Sequence, residues 1–329
     1  MNMRNLSVLS RAFGLTFVAA VALGASAACA QQAYPNHAIK ILVGIPPGGA
    51  PDVVARLVGH YLSESLGQPV VIENRTGANG NIATEAVAAA PADGYTLLLG
   101  ADSAIAINPH IFSMKSDPIK DLVPVTSVAT NQFVLAVNPK VPVKTLPEFI
   151  DYAKKAKPAL AFASGGPASQ HSLAMAVLRQ RAGFELLEVT YRGGSPSMQA
   201  TIAGDTQVLF AGGESAGQFE AGTLRPLAMS GKARSKRYPD LPTIGEFYPG
   251  YAVDIWLGLF APAGTPDAIV AKLREAVQTS LAKPDVAAKV NVSGSLEPLI
   301  LKPDVFAELI RSDNEKFRKL IKDLNIKIN

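Results

Sequence analysis

Twice along this chain a short apolar run ends in a glycine-rich turn and passes straight into a helical pattern, and that order of parts restricts the fold more than any other feature. The first case is the stretch ILVGIPPGGAPDVVARLVGHYL, residues 41–62. A strand-like run over 39–43 is followed by Val53, Val54, Leu57, Val58, Tyr61 and Leu62 at three- and four-residue spacing, and Gly67 supplies the stop. Asp52 stands where it can help cap the helix. The first turn of a helix leaves backbone N–H groups without partners and carries a partial positive charge. Such a turn offers donors to an anion.

The second case begins with an apolar run at 160–163, which leads through Ser164, Gly165, Gly166 and Ser169 into a helical pattern over 170–181. Both cases continue alike. After the first come an apolar run at 70–73, an alanine-rich helix at 82–90 ended by Pro91, and a run at 95–100. After the second come a strand at 184–189, the loop Arg192-Gly193-Gly194-Ser195, a helix at 196–203 and a strand at 206–210. Continuous apolar strands alternating with helices predict parallel sheets covered on both faces. Long apolar connections, 123–137 and 251–261, run from one half to the other and back. The expected fold class is α/β, with two doubly wound domains, a cleft and a hinge. Residues 31–131 with 250–329 form a discontinuous first domain, and 132–249 the second. In the tail, one helix is expected from Thr265-Pro266 to about 281 and another over about 303–324. The second carries an apolar stripe of Phe306, Leu309, Ile310, Phe317, Leu320 and Ile321, suited to packing on the first domain. The two glycine turns then face each other across the cleft, where open α/β sheets take ligands.

Residues 1–30 read as a secretory leader. Arg4 and Arg11 precede an apolar stretch over 12–22 that is too short to span a bilayer, and Ala28 and Ala30 form a small-residue site with cleavage near Ala30. Lipid attachment at Cys29 is the competing reading, with Ser26 where Leu is usual. Cleavage removes the only cysteine, and with it disulfides, a redox pair and a thiol nucleophile. The leader holds two arginines and no acid, so the formal charge of +4 falls to +2, too little for a nucleic-acid footprint. The four histidines are scattered without metal-ligand spacing. No nucleic acid, metal or cofactor is expected; the mature chain, 48% hydrophobic over the full sequence, should be a soluble exported monomer.

The opening turn lacks the Gly-Lys-Ser/Thr end of a phosphate loop, and G-x-G-x-x-G is absent. Three or four charge-assisted bonds of about 1.5–3 kcal/mol each would hold a carboxylate without an arginine clamp. The runs YPNHAIKILVGIPPGGAPDVVARLVGHYL, GQPVVIENRTGANGNIATEAVA, DGYTLLLG, YRGGSPSM and WLGLFAPAGTP resemble the tripartite tricarboxylate transporter receptors, the Bug or TctC family, over essentially the whole mature chain. The resemblance implies a type II periplasmic-binding-protein-like fold that closes on a small organic carboxylate. It also implies a membrane permease as partner, for transport or for sensing. Carried over by motif, it puts one grip on Ile45, Pro46, Pro47, Gly48 and Gly49, and a second on Ser164, Gly165, Gly166 and Ser169 with Tyr191, Arg192 and Gly193. The far end of the pocket falls to the loop over 101–108, with Asp102, Ser103 and Ala104. Two departures bear on specificity. Ala104 and Ile105 stand where the family commonly has Thr-His, and Ala211 where many members have Asp. Each removes polar function, so the expected ligand is a monocarboxylate with an apolar or aromatic body.

Other polar residues stay open between two roles. His171 touches ligand or bonds nearby backbone. Asp102 receives a cationic group or forms a turn. Arg75 and Arg192, in equivalent loops, contact ligand or brace the loops, and Trp256 reads as hinge core. One motif points elsewhere. Gly213-Glu214-Ser215-Ala216-Gly217 is a full G-x-S-x-G, the nucleophile elbow of a secreted serine esterase built on Ser215. That fold needs its histidine after the serine, and His37, His60, His110 and His171 all precede Ser215.

Overall fold

The computed structural model describes residues 34–166, 169–212, 215–291 and 296–323. The leader with Cys29 and its cleavage site, and Gly213 and Glu214 of the esterase-like motif, lie outside the described residues. Residues up to Asn36 form one unit and His37–Asn329 another, to which everything below refers.

Two sheets are built to one plan. In the first, β1 (Ile39–Val43) pairs in parallel with β2 (Val70–Asn74) and β3 (Thr96–Ala101). In the second, β6 (Ala161–Ser164) pairs in parallel with β7 (Leu187–Thr190) and β8 (Val208–Ala211). The remaining strands are exchanged. β4 (Leu122–Gln132) belongs to the first sheet and β5 (Val134–Val137) to the second; β9 (Arg225–Met229) belongs to the second and β10 (Asp254–Pro262) to the first. With β11 (Leu296–Pro298), the orders are β11-β4-β10-β3-β1-β2 and β7-β6-β8-β5-β9. β10 runs antiparallel to β3, and β5 antiparallel to β8. The sheets are therefore mixed rather than wholly parallel. The parallel strands end toward the other half, so a strand arriving from that half runs against them.

Helices cover the sheets: α1 (Ala50–Leu66), α2 (Asn81–Ala88), α3 (Leu146–Lys155), α4 (Gln170–Ala182), α5 (Gly194–Ala203), α6 (Asp267–Leu281) and α7 (Pro303–Asp323); α3 falls in a stretch to which the sequence reading assigns no element. α1 has Pro51 in its first turn and stops at Gly67, whose left-handed φ of 68° lets its N–H return to Ser63 O at 3.0 Å. The stripe of α7 buries Phe306, Ile310, Phe317 and Ile321 with Trp256 and Phe260. Trp256 meets Phe306 edge-on at 5.4 Å, and its Nε1 donates to Asp313 Oδ2 at 2.8 Å. Leu173 of α4 joins the same cluster, while Phe133, Phe149, Phe162, Phe184 and Phe210 centre the core of the second sheet. Phe306 is 1% exposed and touches both Trp256 and Phe260. Phe306→Ala should lower unfolding stability by about 3–5 kcal/mol in urea denaturation; a loss below about 1 kcal/mol would mean that the helix docks without this anchor.

Candidate functional site

A cavity of about 390 Å³ is lined from both sheets, and three helix starts open onto it. α1 contributes Gly49, Ala50 and Pro51; α4 contributes Ser169, Gln170 and His171; α5 contributes Gly193, Gly194, Ser195 and Pro196. Asn131 and Phe133, where β4 passes into β5, and Ile255 and Leu257 of β10 form the floor. Ile45, Pro46, Pro47, Asn79, Ala101, Ser103, Gly165, Arg192 and Gly212 complete the lining.

The donors of the first turn are fewer than its glycines suggest. The Gly48 N–H is taken by Asp52 Oδ2 at 2.9 Å, the Asp52 N–H by Gly49 O at 3.0 Å, and Pro51 has none. The Gly49 N–H makes only a long contact to Pro46 O, 3.4 Å, and among the described residues the Ala50 N–H finds no acceptor. Gly49 and Ala50 are thus the donors left for a ligand. Asp52 sits behind the turn, 2% exposed, and not on the cavity wall. It accepts from Arg56 Nε at 3.0 Å, Arg56 Nη2 at 2.9 Å and Asn74 Nδ2 at 2.8 Å, while Asn74 also holds Ile45 O at 3.0 Å. Burial works to raise the Asp52 carboxyl, but these bonds outweigh it and hold the group below the usual range. From the other side Gly44 meets Gly80 so closely that a Cβ on Gly44 would lie 2.5 Å from Gly80 Cα, so only glycine lets these loops touch.

The second and third turns are tied together. Ser164, fully buried, donates to Glu188 Oε1 at 2.6 Å and accepts the Gly166 N–H at 3.1 Å, so Ser164 and Gly166 brace from behind while Gly165 faces the cavity. Ser169 caps α4, accepting the Ser172 N–H at 3.3 Å. Ser164 O receives both the Tyr191 N–H at 2.8 Å and Ser197 Oγ at 3.1 Å, which locks the α5 loop to the α4 loop. Gly193, at φ 108°, begins α5 without a side-chain cap, leaving the Gly194 and Ser195 end to the cavity. Tyr191 is off the cavity lining and packs, partly buried, against the cluster that contains Ala163, Met198 and Leu209.

Charge on the lining is sparse. Arg192 is the cationic side chain on it among the described residues; Arg75, in the equivalent loop, pairs instead with Glu73 at 2.5 Å on the surface. His171 lies 4.3 Å from the Phe133 ring, and loss of solvation pushes it down to about 4, so it is neutral at pH 7. Gly48, Asp102, Ala104 and Ala211 are off the lining as well. Asp102 is buried behind Ser103 and Gln170, accepting the Ser103 N–H at 2.9 Å and the Gln170 side-chain amide from the other half. Ile105 enters the core beside Trp256, and Ala211 packs among Ala136 and Leu209. The positions that suggested an apolar ligand therefore do not line the cavity. The floor residues went unnoticed in the sequence, although Asn131 with Phe133 and Ile255 with Leu257 alternate in the two-residue period of strands. Ser215 is fully buried, its hydroxyl on Met198 Sδ at 3.2 Å, whereas a nucleophile elbow exposes its Oγ.

Burial, and secondarily Asp313, pushes the Asp102 carboxyl well above its ordinary value. Such a group holds more protons folded than unfolded between its two values, so stability falls as pH rises through that interval. Asp102→Asn keeps an acceptor for Ser103 and Gln170 and removes the charge. The variant should melt higher than the parent at neutral pH, by about 2 °C or more, with the gap closing as pH falls toward about 4. A gap independent of pH would rule out this source.

The fold and site have known counterparts. The family model for the tripartite tricarboxylate transporter family receptor matches residues 54–326. BugT of Bordetella pertussis is 32% identical, with 93% of this chain and 94% of that protein covered. A solved periplasmic transporter is 34% identical, covering 90% of this chain and 100% of its own, with a TM-score of 0.84. An R. palustris protein solved with adipate is 31% identical, covering 89% and 99%, with a TM-score of 0.84. With its two mixed α/β sheets in the periplasmic-binding-protein arrangement, the chain belongs to the tripartite tricarboxylate transporter (Bug/TctC) receptors and is a solute-binding receptor, not an esterase.

Proposed function

We propose that this chain is a periplasmic receptor, exported by a leader cleaved near Ala30, that closes two lobes on one small organic carboxylate. The lobes are residues 31–131 with 250–329, and 132–249, and they hinge where β4 meets β5 and before β10. The observation that carries the reading is the convergence of three helix starts on one cavity lined from both sheets. Each start brings backbone N–H groups and a dipole end, the combination that suits an anion. The carboxylate is held by the Gly49 and Ala50 N–H groups from one lobe, and by the turns that bring Gly165 and Ser169, and Gly193 to Ser195, to the cavity from the other. The relative solved with adipate supports an organic acid as the ligand class. The loaded receptor, a monomer, delivers its ligand to a membrane permease of the tripartite type or reports it in sensing.

The body of the acid is apolar or aromatic and the acid group single. Phe133, Ile255, Leu257 and Ile45 supply the apolar lining, His171 is neutral, and Arg192 is the one cationic side chain there among the described residues. A second buried carboxylate would lack a partner charge at the floor. In a calorimetric screen, benzoate-type and medium-chain monocarboxylates should bind at least about tenfold more tightly than adipate, citrate or glutamate; tight citrate or glutamate binding with inert monocarboxylates would overturn the assignment. The backbone grip has its own test. Gly49, at φ −74° and ψ 161°, already has the extended conformation that precedes proline, and the first helical position tolerates one. Ala50→Pro therefore deletes a single N–H donor and should weaken binding about 10- to 100-fold while leaving the melting temperature nearly unchanged.

A further inference from the structure

One side-chain bond ties the two halves together away from the strands that connect them. Asp102, just past the end of β3, is 1% exposed. Its Oδ1 accepts both the Ser103 N–H at 2.9 Å and the side-chain amide of Gln170, at the start of α4. Ser103 and Gln170 line the cavity, one from each half, and Asp102 does not. Apolar packing accompanies the bond: Leu173, further along the first turn of α4, is buried in the cluster of the first sheet, and Ala101 packs against that of the second. Other bonds between the halves end on the segment that enters β10. Arg181 Nη2 donates to Gly250 O, Ser230 Oγ to Val253 O, and Tyr251 Oη to Ala174 O. Asp102 and Gln170 stand outside that segment, so a change in the angle between the sheets falls on their separation.

On the reading that the two halves hinge about the cavity, we infer that the Asp102–Gln170 bond is the latch of that hinge and Asp102 a positioning residue, fixing the arrangement in which the cavity is lined from both sides. The chemistry suits the part, because one carboxyl oxygen has lone pairs enough for both donors. Parting the halves strips Gln170 from a buried acceptor, and that costs free energy until water takes its place. Each half brings one member, so the bond exists only while the halves meet. It biases an equilibrium between arrangements instead of contacting the ligand. A receptor binds in proportion to the fraction of molecules in the competent arrangement, so loss of the latch at Asp102 weakens different ligands by the same factor. A wall residue would alter the preference among them.

The test begins without a ligand. Expressed from Gln31, the chain carries no cysteine, so spin labels go only where they are placed. Labels at Val71→Cys and Leu187→Cys, exposed positions on the outer strands β2 and β7, report the separation of the two sheets by double electron–electron resonance. Gln170→Ala should move the distance distribution away from the parent's peak. Asp102→Ala should move it equally, and the double variant no further, because the same bond is lost only once. Asp102→Asn, whose Oδ1 still accepts both donors, should keep the parent's distribution. Gln170→Glu sets an acceptor against Asp102 and should move the peak at least as far as Gln170→Ala, which keeps the test open should Asp102→Ala not fold. In calorimetry, Asp102→Ala should weaken benzoate and hexanoate binding about tenfold, by the same factor for both. Distances unchanged in Gln170→Ala, shifts that add in the double variant, or affinities that stay at the parent's overturn the inference and leave the carboxylate reading intact. A parent that binds neither acid counts against that reading instead, and the label distances still decide the latch.

Discussion

Each sheet is completed by a strand delivered from the other half of the chain, and the site depends on that exchange. β10 enters beside β3, and β5 enters beside β8, both running against their new neighbours. The two crossings lie side by side, with Asn131 paired to Ile255 and Gln132 to Asp254. Gly231 fits there because a Cβ would sit 2.3 Å from both Gln132 Cδ and Asp254 Oδ1. Any change in the angle between the sheets must be absorbed at these strands, and the same strands form the floor under the cavity. Asn131, Phe133, Ile255 and Leu257 on the cavity lining thus belong to the same segments that link the two sheets.

What the cavity offers an anion is backbone N–H groups rather than a cluster of cations. Carboxylates stand directly behind the donor turns, yet each is occupied. Asp52 is matched by Arg56, Asn74 and the Gly48 N–H, and Glu188 by the hydroxyls of Ser164 and Ser172. These side chains fix the turns without presenting charge to the cavity. The remaining N–H groups at three helix ends are held in place before a ligand arrives, so little ordering cost falls on binding. Asp102 plays a comparable part across the halves, since it lies behind the wall and takes the Gln170 amide from the opposite side.

Much of this was readable from the chain. The three- and four-residue spacing of α1 and α7, the Gly67 stop and the strand-turn-helix order reflect local rules, and they fixed the elements within a few residues. Ile45, Pro46, Pro47, Gly49, Ser103, Gly165, Ser169, His171, Arg192 and Gly193, named from the turns, do line the cavity. Gly48, Asp52, Asp102, Ala104, Ser164, Gly166, Tyr191 and Ala211 do not. Most of those residues come to the site through the family motifs, and a motif gives the order of residues in a turn, not which way each side chain points. Asp52 and Ser164 show the consequence, because their hydrogen bonds draw them to the rear of the turns they belong to.

The sequence by itself determined the α/β class, the pairing of two similar halves and the helix starts that open onto the cavity, because these follow from periodicity, glycine and proline over a few residues. Tertiary structure alone decided the mixed sheets, the floor built from two crossing strands, and which N–H groups remain free. Those depend on partners far along the chain: Asn74 meets Ile45 O and Asp52, Gln170 meets Asp102, and Asn131 lies opposite Ile255. Local chemistry supplies the donors; long-range packing decides which are spent within the protein and which are left for the ligand.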